Sequence, residues 1–143
     1  MIAEMDDIEP RRHTGFLIRR AQQLHVAAWS KIVSTEVSSV QYSILAVLDR
    51  LGSASQRELC EEVDLDRSTV ADLVARMERR GLLQRERHPE DARRNVVALT
   101  SLGRDERMRL QPLVDQVDAA LTGALSAHDR AELRRTLRLM LAD

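Results

Sequence analysis

The chain has 143 residues, 43% hydrophobic and 31% charged, with five glycines, three prolines and a net charge of −1. That is enough for one domain, or for one domain with a dimerisation arm, in a soluble and largely helical protein. Aromatics at 2% exclude a stacking platform for single-stranded nucleic acid, and near-neutrality argues against indiscriminate binding of polyanions.

The opening stretch, MIAEMDDIEPRR, is acidic and lacks an apolar core, so it is not expected to serve as a secretory signal. Residues 14–33 put Leu17, Ala21, Leu24 and Ala28 on one stripe, with His25, Trp29 and Ile32 on an adjoining one. This predicts a long helix with a wide apolar face. No apolar run reaches the roughly 20 residues that span a bilayer. SSVQYSILAVLDRLG predicts a second helix, capped near Ser38 or Ser39 and closed by Gly52. A third opens at Ser55 with Glu58 spaced for a capping box, and turns Leu59, Cys60 and Val63 inward. Cys60 is the sole cysteine, which excludes an internal disulfide and fits a reducing cytoplasm.

VDLD then makes a tight connection to a fourth helix, capped by Asp66 and stopped by Gly81. LLQRERH and RNVVALT read as two short strands joined by the turn PEDA. Thr100 is expected to cap a fifth helix whose stripe runs through Leu102, Met108 or Leu110, Leu113, Val117 and Leu121. Pro112 should bend that helix or mark a local irregularity. Ser126 and Asp129 open a sixth helix carrying Leu133, Leu137 and Leu141. The order predicts a mainly α fold with a small β wing. It divides into a winged helix-turn-helix lobe at 37–100 and a helical dimerisation region formed by 1–36 and 101–143.

The fourth helix carries the functional signal. Val70, Leu73, Val74 and Met77 make its buried stripe, and at about 100° per residue Ser68, Asp72, Ala75 and Arg79 fall opposite. Thr69 and Arg76 lie beside them. Such a helix is slim at its front and cationic further along, which suits entry into a major groove with the first turn against base edges. Ser68 and Thr69 can donate to phosphates or bases, and the free N–H groups of that helix end also favour a phosphate. Arg67, Arg76 and Arg79 are candidate DNA contacts, the last two within reach of a guanine edge or a flanking strand. Asp72 would accept from a cytosine amine or hold an arginine. Seven arginines (76, 79, 80, 85, 87, 93 and 94) face four acids between Arg76 and Arg94, a local cationic strip. Arg93 and Arg94 follow the hairpin tip, where an arginine can enter the minor groove, and Asp91 is placed to orient Arg93. The plainer alternative is a salt-bridged surface with no ligand.

The stretch LDRSTVADLVARMERRGLLQRERHPEDARRNVVALTSLGR resembles the helix and wing of MarR-type transcriptional regulators. Their wing pattern, Asp-x-Arg followed by an apolar strand ending in Leu-Thr, is met by Asp91, Arg93, Leu99 and Thr100. The resemblance implies a cytoplasmic homodimer whose first, fifth and sixth helices interlock, with both wings straddling a palindromic double-stranded operator. It implies repression relieved by a small aromatic anion. HTGFLIRRAQQLHVAAW resembles the protocatechuate-responsive branch, in which a His, an Arg and a second His line the effector pocket. By position these are His13, Arg19 and His25. An arginine fork suits a carboxylate, and histidines suit ring hydroxyls. On an ideal helix Arg19 and His25 stand about 120° apart, so their convergence relies on the reach of Arg19. Trp29 and Tyr42 read either as pocket walls or as core.

Three rival readings stay in view. A redox sensor of the same fold needs a reactive thiol near the start of the first helix, whereas Cys60 sits on an inward face. A metal sensor needs clustered ligands, whereas His13, His25, His88 and His128 are scattered. A winged-helix protein–protein adaptor would lack salt-dependent DNA binding. No Gly-rich phosphate loop or spaced nucleophile–base pair argues for an enzyme, and no cofactor is expected.

Overall fold

The structure, a computed structural model, describes residues 2–88, 90–91 and 93–142. Chain order is α1 (Ile2–Asp6), α2 (Thr14–Ile32), α3 (Ser39–Leu51), β1 (Ser53–Ala54), α4 (Gln56–Val63), α5 (Arg67–Arg79), β2 (Leu83–Arg87), β3 (Asn95–Leu99), α6 (Ser101–Leu121) and α7 (Ala127–Leu141). It is a mainly helical winged helix-turn-helix fold with one small antiparallel sheet, in the order β1-β3-β2. Two elements go beyond the sequence expectation, the single-turn α1 and the two-residue β1. Among the described residues no helix is long and apolar enough to cross a membrane.

The chain divides into two compact units. One runs from Ser34 to Leu113, and the other joins the residues up to Val33 with those from Val114 onward. The first half of α6 therefore belongs with the lobe, thirteen residues later than the boundary expected at Thr100.

In the lobe, local capping fixes the helix ends. Ser38 caps α3, accepting from the Gln41 N–H, while the Gln41 side chain accepts from the Ser38 N–H. Ser55 and Glu58 form the same reciprocal box at α4. Each box satisfies two donors that a helix start leaves orphaned. Asp64 ends α4 in the left-handed region at φ 55°, and Asp66 then caps α5. At the far end of α5 the Gly81 N–H donates to Glu78 O and the Leu82 N–H to Met77 O, with Gly81 at φ 77°. That is a Schellman closure, and its left-handed position favours glycine.

The core holds Ile44, Leu45 and Leu48 of α3, Leu59 of α4, and Val70, Val74 and Met77 of α5 against Leu82, Leu83, Val97 and Leu99. Cys60 and Val63 are only partly buried at its edge. The wing is β2 paired with β3 in the register Leu83↔Leu99 to Arg87↔Asn95, and β1 pairs with β3 through Ser53↔Ala98. Thr100 begins α6: its hydroxyl donates to Gly81 O at 2.6 Å and accepts from the Gly103 N–H at 3.0 Å. Of the expected α6 stripe, Leu110 and Val117 are buried, whereas Leu102 and Met108 are exposed. The helix runs without interruption through Pro112.

The second unit is differently finished. Ser126 caps α7 through the Asp129 N–H. Yet Leu17, Ile18, Leu24 and Val26 of α2, and Leu133, Leu137, Met140 and Leu141 of α7, are all exposed. These apolar side chains face solvent in the single chain, whereas Trp29 on the adjoining stripe of α2 is buried.

Candidate nucleic-acid interface and effector pocket

α5 holds its apolar stripe in the lobe core and turns Arg67, Ser68, Thr69, Asp72, Arg76 and Arg79 outward, all exposed. The front turn is organised by Asp66. Its carboxylate accepts the hydroxyls of Ser68 and Thr69, each at 2.6 Å, and the Thr69 N–H at 3.1 Å. The Ser68 hydroxyl first, and then Thr69, hold the Asp66 carboxyl far below the usual carboxylate range. The two hydroxyls expected to donate to DNA therefore donate to Asp66 in the free protein. Further along, Asp72 pairs with Arg76 at 3.1 Å, the arginine-holding arrangement that its spacing allows.

The wing supplies a second cationic point in the same unit. The Arg93 N–H donates to Asp91 Oδ1 at 3.0 Å, and the Arg93 Nε lies 3.6 Å from the same oxygen. The Arg93 side chain is 95% exposed. The Arg94 N–H donates to Asp91 O, and Arg94 O accepts from the His88 N–H, which closes the hairpin end. Of the PEDA turn, Pro89 and Ala92 lie outside the described residues. Several arginines of the cationic strip are engaged elsewhere, Arg80 with Glu36 and Arg85 with Glu78. Arg67, Arg79 and Arg94 have no carboxylate partner among the described residues, which leaves their charge available.

The effector candidates are not gathered into one place. Arg19 stacks its guanidinium over Phe16, 5.4 Å from the ring centroid, and lines a cleft of about 580 Å³ with Arg11 and Arg20. His25 lines a different, mainly apolar cavity of about 710 Å³ with Leu17, Leu24, Leu133, Leu137 and Met140. The separation follows the 120° between them around α2. His13 precedes α2, with Nε2 3.4 Å from Glu9 Oε1. Trp29 is 6% exposed and touches the His25 ring, centroid to centroid at 5.9 Å. The spacing gave no hint of one further cluster. In the lobe, half-buried Tyr42 accepts from Arg107 at 2.8 Å, and Arg107 Nε lies 3.6 Å from Asp49. Among the described residues no group of three or more His, Cys, Asp or Glu side chains is placed to hold a metal ion.

A family model, described as MarR family, matches residues 37–95. Transcriptional regulator HosA of Escherichia coli O111:H- is 33% identical over 125 residues, covering 87% of this chain and 91% of that one. The chain belongs to the MarR family.

Two solved structures are similar to this MarR-family chain over nearly its whole length. One is the PcaV transcriptional regulator from Streptomyces coelicolor in complex with its natural ligand. It is 36% identical with a TM-score of 0.88, covering 94% of this chain and 95% of that one. The other is BpsR of Bordetella bronchiseptica, described for the regulation of its DNA binding by 6-hydroxynicotinic acid. It is 27% identical with a TM-score of 0.90, covering 95% of this chain and 98% of that one. The winged helix-turn-helix of this chain is thus that of a MarR-family transcriptional regulator, and the matched segment contains α5 and most of the wing.

Proposed function

We propose that this MarR-family regulator is a homodimeric, ligand-responsive repressor that binds a palindromic DNA operator and is released by a small aromatic carboxylate, protocatechuate-like in kind. The observation that carries the reading is the outward face of α5, small at its front and cationic behind, in the same compact unit as the exposed Arg93 and Arg94. In a helix-turn-helix such a face enters the major groove, with phosphate contacts from arginines fixing its register. The dimer is supported by the apolar side chains that α2 and α7 leave in solvent, since a contiguous exposed patch of that kind marks an association surface. The effector class is supported by the Arg19 fork and by the aromatic acid that regulates DNA binding by BpsR.

The ligand acts through differential affinity. It must bind the released conformation more tightly than the DNA-bound one, and a 100-fold preference corresponds to about 2.7 kcal/mol. Fluorescence anisotropy on a labelled fragment of the gene's own promoter, titrated with hydroxybenzoates and hydroxynicotinates, tests the whole reading. One of these acids should release the complex, and Arg19→Ala should keep operator affinity while losing that release. Release by the same acid at the same concentration from the Arg19→Ala protein would remove Arg19 from the effector site.

A further inference from the structure

We propose that Asp66 sets the hydrogen-bonding sense of the front of α5, so that Ser68 and Thr69 accept from base amines rather than donate to keto oxygens or phosphates. The inference rests on the DNA-binding reading above and concerns what that surface selects. An ionised carboxylate can only accept, so both hydroxyls, each 2.6 Å from a different Asp66 oxygen, spend their single proton on it. What they present outward is lone pairs. In the major groove, adenine N6 and cytosine N4 donate, whereas guanine O6 and N7 and thymine O4 accept. Phosphate oxygens also only accept, and the Asp66 charge beside the hydroxyls repels them. In the major groove every base pair presents one amine, so the discrimination concerns which strand presents it. Ser68 and Thr69 select adenine or cytosine on the strand they face.

The consequence is a division of labour along one helix. The first turn, with Asp72 just behind it, offers acceptors. Donors come from Arg67, Arg76 and Arg79, and the phosphate contacts with them. Asp66 acts through its neighbours and is a positioning residue, not itself a base contact.

The test is a complete single-base-pair substitution series of the operator half-site, bound by the native protein and by three variants. Ser68→Ala and Thr69→Val each remove one outward hydroxyl and identify the positions read. At those positions the native protein should require adenine or cytosine on the contacted strand, and the amino-to-keto exchange should weaken binding about fivefold or more. Asp66→Asn keeps an oxygen for the Thr69 N–H, and asparagine is a good helix cap. It replaces one acceptor by an amide donor, which frees a hydroxyl proton. Its preference should relax or move toward guanine or thymine at one of those positions, with the remaining profile unchanged. A variant profile superimposable on the native one would overturn the proposal, as would guanine or thymine at both native positions. Absence of any sequence preference in the native protein would instead strike the DNA-binding reading itself, and this inference with it.

Discussion

Arg93 extends from the hairpin end almost wholly into solvent and, among the described residues, is held by its backbone bond and a long ion pair to Asp91. Its replacement by alanine removes charge and reach without removing packing. We expect Arg93→Ala to leave the melting temperature unchanged and to weaken operator binding by about 1–3 kcal/mol, read by gel shift at fixed salt. Equal binding by the variant would take the wing out of the interface. Asp66 makes a different kind of prediction. Its carboxyl is depressed in the folded protein by Ser68 and then Thr69, from an ordinary value of 3.8. A carboxylate depressed on folding contributes stability that is complete above its unfolded value and drains away as pH falls through it toward the folded one. Asp66→Asn has no such titration. The excess stability of the native protein over Asp66→Asn, measured by urea unfolding, should therefore be larger at about pH 7 than at about pH 2.5. A gap that is constant with pH would mean that the hydroxyl bonds of the front turn are not made in solution.

One close approach between elements lies at the start of α6. A Cβ at Gly103 would stand 2.1 Å from the Leu82 carbonyl oxygen, which already accepts the Thr100 N–H. Gly103→Ala must push α6 away from the start of the wing. A loss of about 1–3 kcal/mol, the usual cost of overpacking, is expected in thermal or urea unfolding, and a neutral result would contradict the close seating. Nothing in the sequence points to this role, because the partner is a backbone atom 21 residues away. Other features were legible because they are local. Ser55 with Glu58, Asp66, Gly81 and Ser126 act within one turn of their own position, and each caps or closes its helix as the spacing implies. The two-residue β1 was illegible, since Ser53 and Ala54 become a strand only by meeting β3. The front of α5 was half legible. Sequence placed Ser68 and Thr69 outside, but the direction of their protons depends on the Asp66 carboxylate turning to accept from both. The effector candidates were the least legible, because helical spacing fixes which side of α2 a residue leaves from and not what gathers there.

At the scale of the whole molecule, the two units differ in how much of their apolar surface the single chain covers. The lobe from Ser34 to Leu113 has a closed core, whereas α2 and α7 show Leu17, Leu24, Leu133, Leu137 and Met140 to solvent. The amphipathic stripes of those helices are real in the sequence, yet the single chain leaves these side chains exposed. A symmetric pair of chains would cover them and present two copies of α5, for which successive major grooves lie about 34 Å apart. We expect such a pair to read DNA by sequence. Sedimentation equilibrium of the protein with a labelled fragment of its own promoter, against a shuffled duplex of equal length and across a salt series, tests it most directly. The expected result is a complex of two chains per operator fragment, weakening with salt and much tighter than that on the shuffled duplex. One chain per duplex, or equal affinity for both duplexes at every salt concentration, would contradict it.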